Sequence, residues 1–214
     1  MKYTLTEVKP KIFFLNFKDY YDMCMLFLRY QEFYESPSLK FRGKQFKILD
    51  FMEWYSKKHG GSFTYTLDWA GFNIPGKIIS EVRKKKILDY NNYDAEMFHI
   101  YGKCYAEYCN DFYLISAVGE NESLKHEIAH GFFYTIPQYK KEMTKLVKAL
   151  DSNFRSNFNL ILKNMGYTPK VFIDECQAYL STGIYNIKEF DNMKLNGEDK
   201  PFIELYNKYY ENYK

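Results

Sequence analysis

The chain has 214 residues, 46% of them hydrophobic and 20% aromatic, with 30 Lys and Arg against 27 Asp and Glu. That length can bury a proper core, so a single domain over residues 1–214 is expected. The near balance of charge argues against a dedicated nucleic-acid binder, which carries a concentrated basic excess, and no stretch has the apolar length that crossing a bilayer requires. The one basic run, Arg83-Lys84-Lys85-Lys86, follows apolar residues and reads as a solvated helix end. Cys24, Cys104, Cys109 and Cys176 form no CxxC pair, which points to buried free thiols in a reducing compartment. Ile12 to Phe17 is too short for a signal-peptide core and is soon interrupted by charge, so a cytoplasmic protein that binds neither membrane nor nucleic acid is expected.

In chain order, residues 2–17 read as extended structure, with Ile12 to Leu15 as a buried strand. Asp19 looks like a helix cap, and Met23, Leu26, Phe27 and Tyr30 recur at helical spacing until Ser36-Pro37. A second helix is expected from Gln45 to Lys58, ending at Gly60-Gly61. Residues 63–75 read as a strand running into an irregular loop. In that loop Trp69, Gly71 and Asn73 either line a specificity pocket or pack in a tight turn. Helices over 76–86 and 95–109 follow, and residues 112–118 (FYLISAV) are the strongest strand in the chain.

A helix capped by Asn121 or Ser123, with Glu120 and Glu122 suited to its positive end, runs to about Tyr134, because Pro137 disfavours helical geometry at Ile136. One long helix is expected from Pro137 to about Met165, punctuated by Gly166. Thr168-Pro169 then opens a helix through KVFIDECQAYL that ends at Ser181 to Gly183. The last helix, reaching Lys214, is polar with anchors at Phe202, Leu205, Tyr209 and Tyr210. His59 reads as a helix C-terminal residue beside the dipole, and His99, among Met97, Phe98 and Ile100, as a core or half-buried histidine.

The segment that carries chemistry is His126-Glu127-Ile128-Ala129-His130. The chain has only four histidines, and two of them stand here. Spaced four apart on a helix, both imidazoles lie on one face and can reach one metal ion, and Glu127 can act on that ion's water. A hydrolytic zinc site needs a third protein ligand. A metzincin would carry glycine at 133 and histidine at 136, whereas this chain has Phe133 and Ile136. Glu175 is the favoured third ligand, since Phe172 and Ala178 share its face and a small residue there lets two helices approach. Asp174 is the rival, because consecutive helical residues point about 100° apart and only one of them is expected to face the site.

HEIAH followed by a separate helical DECQAY resembles the gluzincin zinc metallopeptidases, over about residues 112–183. The resemblance implies an α+β fold, mainly helical, with a small sheet beside the metal-binding helix. Residues 1–110 would form an N-terminal subdomain or cleft wall, and 111–214 the catalytic helices and metal site. It implies Zn²⁺ on His126, His130 and Glu175, Glu127 as general base, and a peptide or protein substrate. It also implies that Phe112 to Val118 is an edge strand to which an extended peptide adds, although the short connection to the next helix leaves an inner strand open. Two departures stand out. Many gluzincins carry an aspartate four residues after the ligand glutamate to orient a histidine, and here that position is Tyr179, so the outer shell must be built differently. The oxyanion donor has no clear match, with Tyr179 and Tyr167 as the nearby candidates. The alternative function is a non-catalytic binding or regulatory protein that retains a structural or vestigial metal site.

Overall fold

Ile12–Phe17, an apolar run with almost no polar alternation, is the pattern of a strand covered on both faces, and the sheet is built around it. The computed structural model describes residues 1–119, 123–184 and 187–213, with only the backbone described at Ser123. Its backbone packing divides the chain into two compact units, Met1–Leu124 and Lys125–Lys214. Among the described residues the fold is α+β, mainly helical with one four-stranded mixed sheet.

In the first unit, β1 (Tyr3–Lys9) folds back on β2 (Ile12–Phe17) as an antiparallel pair, and Lys11 in the turn takes a φ of 67°. The carboxylate of Asp19 accepts from the backbone N–H of Asp22 and caps α1 (Tyr20–Glu35), which stops at Ser36 as the following proline requires. Then come α2 (Ile48–Lys58), a single turn α3 (Tyr65–Asp68), β3 (Gly71–Pro75), α4 (Gly76–Lys84), α5 (Asn92–Tyr108) and β4 (Tyr113–Val118). The strand order is β1-β2-β4-β3, with β2 and β4 parallel and β3 and β4 antiparallel. The core lies between α1 and the sheet, where Phe27 stacks on Phe72 with ring centroids 5.4 Å apart. α1 also buries a cation. Arg29 donates to Asp94 at 2.8 Å, to Asp89 at 2.7 Å and to the carbonyl of Phe46 at 2.7 Å, the partners a charge out of water needs.

Three sequence expectations change here. Residues 63–75 run from a helical turn into a strand, the reverse of the expected order. Tyr55 and Thr64 hydroxyls both donate to the Asp68 carboxylate at 2.7 Å and close the turn, and β3 then pairs along β4, burying Phe72 and Ile74 in the core. The segment is therefore a sheet edge and not a pocket-lining loop. β4 is an inner strand, paired along its length with β2 and β3. Its backbone groups are already committed on both sides, so no peptide can add to it. It also belongs to the first unit, not with the metal-motif helices, because its sheet partners do.

In the second unit, α6 (Ser123–Thr135) carries HEIAH and gives way at Ile136 to α7 (Pro137–Ala149), opened by its proline. The expected capping residues Glu120, Asn121 and Glu122, and the side chain of Ser123, lie outside the described residues. The long helix expected from Pro137 to Met165 is two helices, α7 and α8 (Ser152–Asn164). The break falls at Leu150-Asp151, both extended, where the Asp151 carboxylate accepts from the N–H groups of Asn153 and Phe154. An N-cap competes with helix continuation, and here it wins. α9 (Phe172–Thr182) begins three residues later than Thr168-Pro169 suggests, because Thr168 instead accepts from the Val171 N–H in a preceding turn. After a 3-10 turn at Lys188–Phe190, α10 (Lys200–Asn212) closes the unit. Its buried anchors are Phe202 and Tyr206, whereas Tyr210 is exposed. α9 is the centre of the unit and packs on α7, α8 and α10.

Candidate metal centre

Four-residue spacing on α6 places the imidazoles of His126 and His130 one turn apart, with their Nε2 atoms 3.1 Å from each other and their planes 82° apart. Glu175 on α9 completes the cluster. Its Oε2 lies 3.9 Å from His126 Nε2 and 3.7 Å from His130 Nε2. Among the described residues these three form the one group of His, Cys, Asp and Glu whose ligand atoms all fall within 4.8 Å of one another. Tetrahedral zinc with bonds of about 2.0–2.1 Å sets its ligand atoms about 3.4 Å apart. The three separations straddle that value, so adjustments of a few tenths of an ångström fit the donor set to the ion.

The far sides of the two rings reinforce that fit. His130 Nδ1 is 2.9 Å from Asp174 Oδ1. His126 Nδ1 is 3.5 Å from Thr182 Oγ1, a hydroxyl that itself donates to the carbonyl of Ala178 at 2.8 Å and so has lone pairs to accept with. With Nδ1 of His126 beside a hydroxyl and Nδ1 of His130 in an ion-pair contact with Asp174, the two Nε2 atoms converge beside a carboxylate. Such an arrangement calls for a cation between them. Burial pushes His130 down, but Asp174 and Glu175 outweigh it and lift its pKa to about 10. Burial and the charge on His130 hold His126 well below its usual value.

Helix contact is close where the ligands meet. Ala129 and Ala178 have no exposed surface, and the buried Gln177 on α9 donates to the carbonyl of Ala129 at 3.4 Å. His130 is almost fully buried, whereas His126 keeps 18% of its side chain accessible, which leaves an approach from that side. Glu127 is buried next to this cluster, and its negative charge acts on His130, Tyr167 and Tyr179. Tyr179 lays its ring against His126, centroids 4.5 Å apart, and its hydroxyl sits 3.3 Å from that of Tyr167. Burial pushes both phenols above their usual range, so each remains a neutral donor.

The structure thus assembles His126, His130, Glu175, Glu127, Tyr167 and Tyr179 in one place within the second unit. It departs from the expectation that only one of Asp174 and Glu175 faces the site. Both reach His130, Asp174 at Nδ1 and Glu175 at Nε2, because residues about 100° apart on a helix can straddle a ring whose nitrogens point different ways. Thr182 and Gln177 went unnoticed in the sequence. The signal was there: Thr182 lies two helical turns beyond Glu175, and Gln177 three residues after Asp174, each on its partner's face.

The remaining candidates lie elsewhere. His99 is exposed on α5 and not in the core, since it occupies the outer face between buried Met97 and Ile100. His59 caps α2 and stacks on Tyr55 with centroids 4.0 Å apart. Cys24, Cys104 and Cys176 are buried free thiols, and Cys109 is exposed. In comparisons with known proteins, no family model, no curated protein and no solved structure matches this chain.

Proposed function

We propose that this chain is a zinc-dependent hydrolase of peptide bonds, a metallopeptidase in which His126, His130 and Glu175 hold the metal and Glu127 is the general base. The observation that carries the reading is the convergence of the two Nε2 atoms and a buried carboxylate, with Asp174 2.9 Å from the far nitrogen of His130 and Thr182 3.5 Å from that of His126. When bound, zinc supplies a Lewis acid with an open position and lowers the pKa of its water to about 7. Glu127 takes the proton from the attacking water and delivers it to the leaving nitrogen. Tyr179, neutral and set against His126, donates to the oxygen that becomes negative as the carbonyl is attacked. The resemblance of the HEIAH and DECQAY sequences to the gluzincin pattern supports the class, and a peptide or protein is the substrate. Among the described residues no helix is long and apolar enough to cross a membrane. With three buried thiols and no disulfide among them, we place the chain in the cytoplasm.

The test is metal content by mass spectrometry on wild type, Glu175→Ala and Glu127→Gln, followed by cleavage of a peptide library. Wild type is expected to carry one zinc per chain, Glu175→Ala to lose it, and Glu127→Gln to keep it without turning over. His126→Ala and His130→Ala should lose both metal and activity. No zinc in wild type after reconstitution overturns the proposal, and hydrolysis by zinc-loaded Glu127→Gln overturns the role of Glu127.

A further inference from the structure

We infer that Asp174 is the positioning residue of the His130 ligand, a role that rests on the reading of His126, His130 and Glu175 as a zinc site. Position 179, where an outer-shell aspartate stands in many gluzincins, holds a tyrosine whose ring packs on His126 and whose hydroxyl meets Tyr167. The carboxylate that serves instead comes from the residue immediately before the third ligand. Its Oδ1 lies 2.9 Å from His130 Nδ1.

Three features make this more than a chance ion pair. First, Asp174 is itself fixed: Gln177 Nε2 donates to its Oδ1 at 3.0 Å, and Gln177 Oε1 accepts from the Tyr139 hydroxyl at 2.9 Å. The same Gln177 amide reaches the Ala129 carbonyl, so α6, α7 and α9 meet at one buried side chain. Second, His130 is nearly inaccessible, and Asp174 is the charged group beside its second nitrogen, where a neighbouring anion biases the ring's orientation and protonation. Third, the two ligand histidines are treated differently. His126 has a neutral hydroxyl 3.5 Å from its Nδ1, whereas His130 has an anion 2.9 Å from its Nδ1, so the negative charge of Asp174 favours the form of His130 that carries its proton on that nitrogen. The Asp174-Glu175 dipeptide therefore flanks one ring on both sides, with Asp174 at Nδ1 and Glu175 at Nε2.

The experiment measures zinc affinity by competition with a chromophoric chelator, together with the tautomer of His130 by ¹⁵N NMR, on full-length wild type, Asp174→Ala, Asp174→Asn and Thr182→Val. Asp174→Ala is expected to bind zinc about 10- to 100-fold more weakly, the range for losing an outer-shell partner, and to lose the single Nδ1–H signal. Asp174→Asn keeps shape and an acceptor oxygen without the charge and should fall between the two, deciding the matter alone if Asp174→Ala does not fold. Thr182→Val should change affinity less than either. Zinc affinity and tautomer unchanged in both Asp174 variants overturn this inference and leave the zinc site standing, whereas wild type that binds no zinc overturns both.

Discussion

The most demanding prediction concerns Glu32, a carboxylate buried in α1 of the first unit. Burial raises its pKa from the ordinary 4.5 to about 7, against the opposing effect of hydrogen bonds from Ser36 and Tyr65, the latter at 3.1 Å. A raised carboxyl pKa means the folded state favours the protonated form. Between 4.5 and 7 the unfolded chain has released this proton and the folded chain still holds it, so stability falls as pH rises through that window and levels off above it. A rise of about 2.5, at about 1.4 kcal/mol per pH unit, amounts to about 3 kcal/mol. Glu32→Gln keeps an acceptor for Tyr65 and has no charge to bury. Urea denaturation of both proteins at pH 5, 6, 7 and 8 isolates the effect, because titrations elsewhere cancel in the difference. The variant is expected to exceed wild type by about 1 kcal/mol at pH 5 and by about 3 kcal/mol at pH 8. A stability difference that stays constant from pH 5 to pH 8 would refute the reasoning.

Other consequences are simpler to check. Gly76 donates its N–H to the Phe112 carbonyl at 2.8 Å, and a Cβ there would lie 2.5 Å from the buried Phe112 ring. Gly76→Ala should therefore cost about 1–3 kcal/mol in urea denaturation, with Phe112→Leu in the same chain recovering part of it. Asp151→Ala removes both acceptor bonds that start α8 and should lower the denaturation midpoint, whereas Asp151→Asn, which retains the acceptor oxygen, should not. Zinc at a hundredfold excess over its Kd should raise stability by about 2.7 kcal/mol, and chelation should reverse that increment while leaving a cooperative melt. Gln177 and the buried alanines hold α6 to α9 without the metal. Loss of near-UV circular dichroism on chelation would instead mark a structural zinc site.

Taken alone, the sequence settled what local chemistry controls. The cap at Asp19, the stop at Ser36-Pro37, the strand read at 112–118 and found at Tyr113–Val118, and the start of α7 at Pro137 follow from side chains acting on their own backbone. HEIAH needed nothing beyond helical periodicity to bring two imidazoles together, and Glu175 followed from the faces of α9. Tertiary structure decided whatever depended on partners distant in the chain. β3 exists because β4 offers it an edge, and β4 is an inner strand because β2 lies on its other side. Burial of Arg29 is tolerable only with Asp89 and Asp94, 60 and 65 residues away. Asp174 shows the division most plainly. Helical geometry placed it about 100° from Glu175 and so off the face expected to carry the site, but only the packing of α9 on α6 put His130 between them, with one nitrogen near each carboxylate.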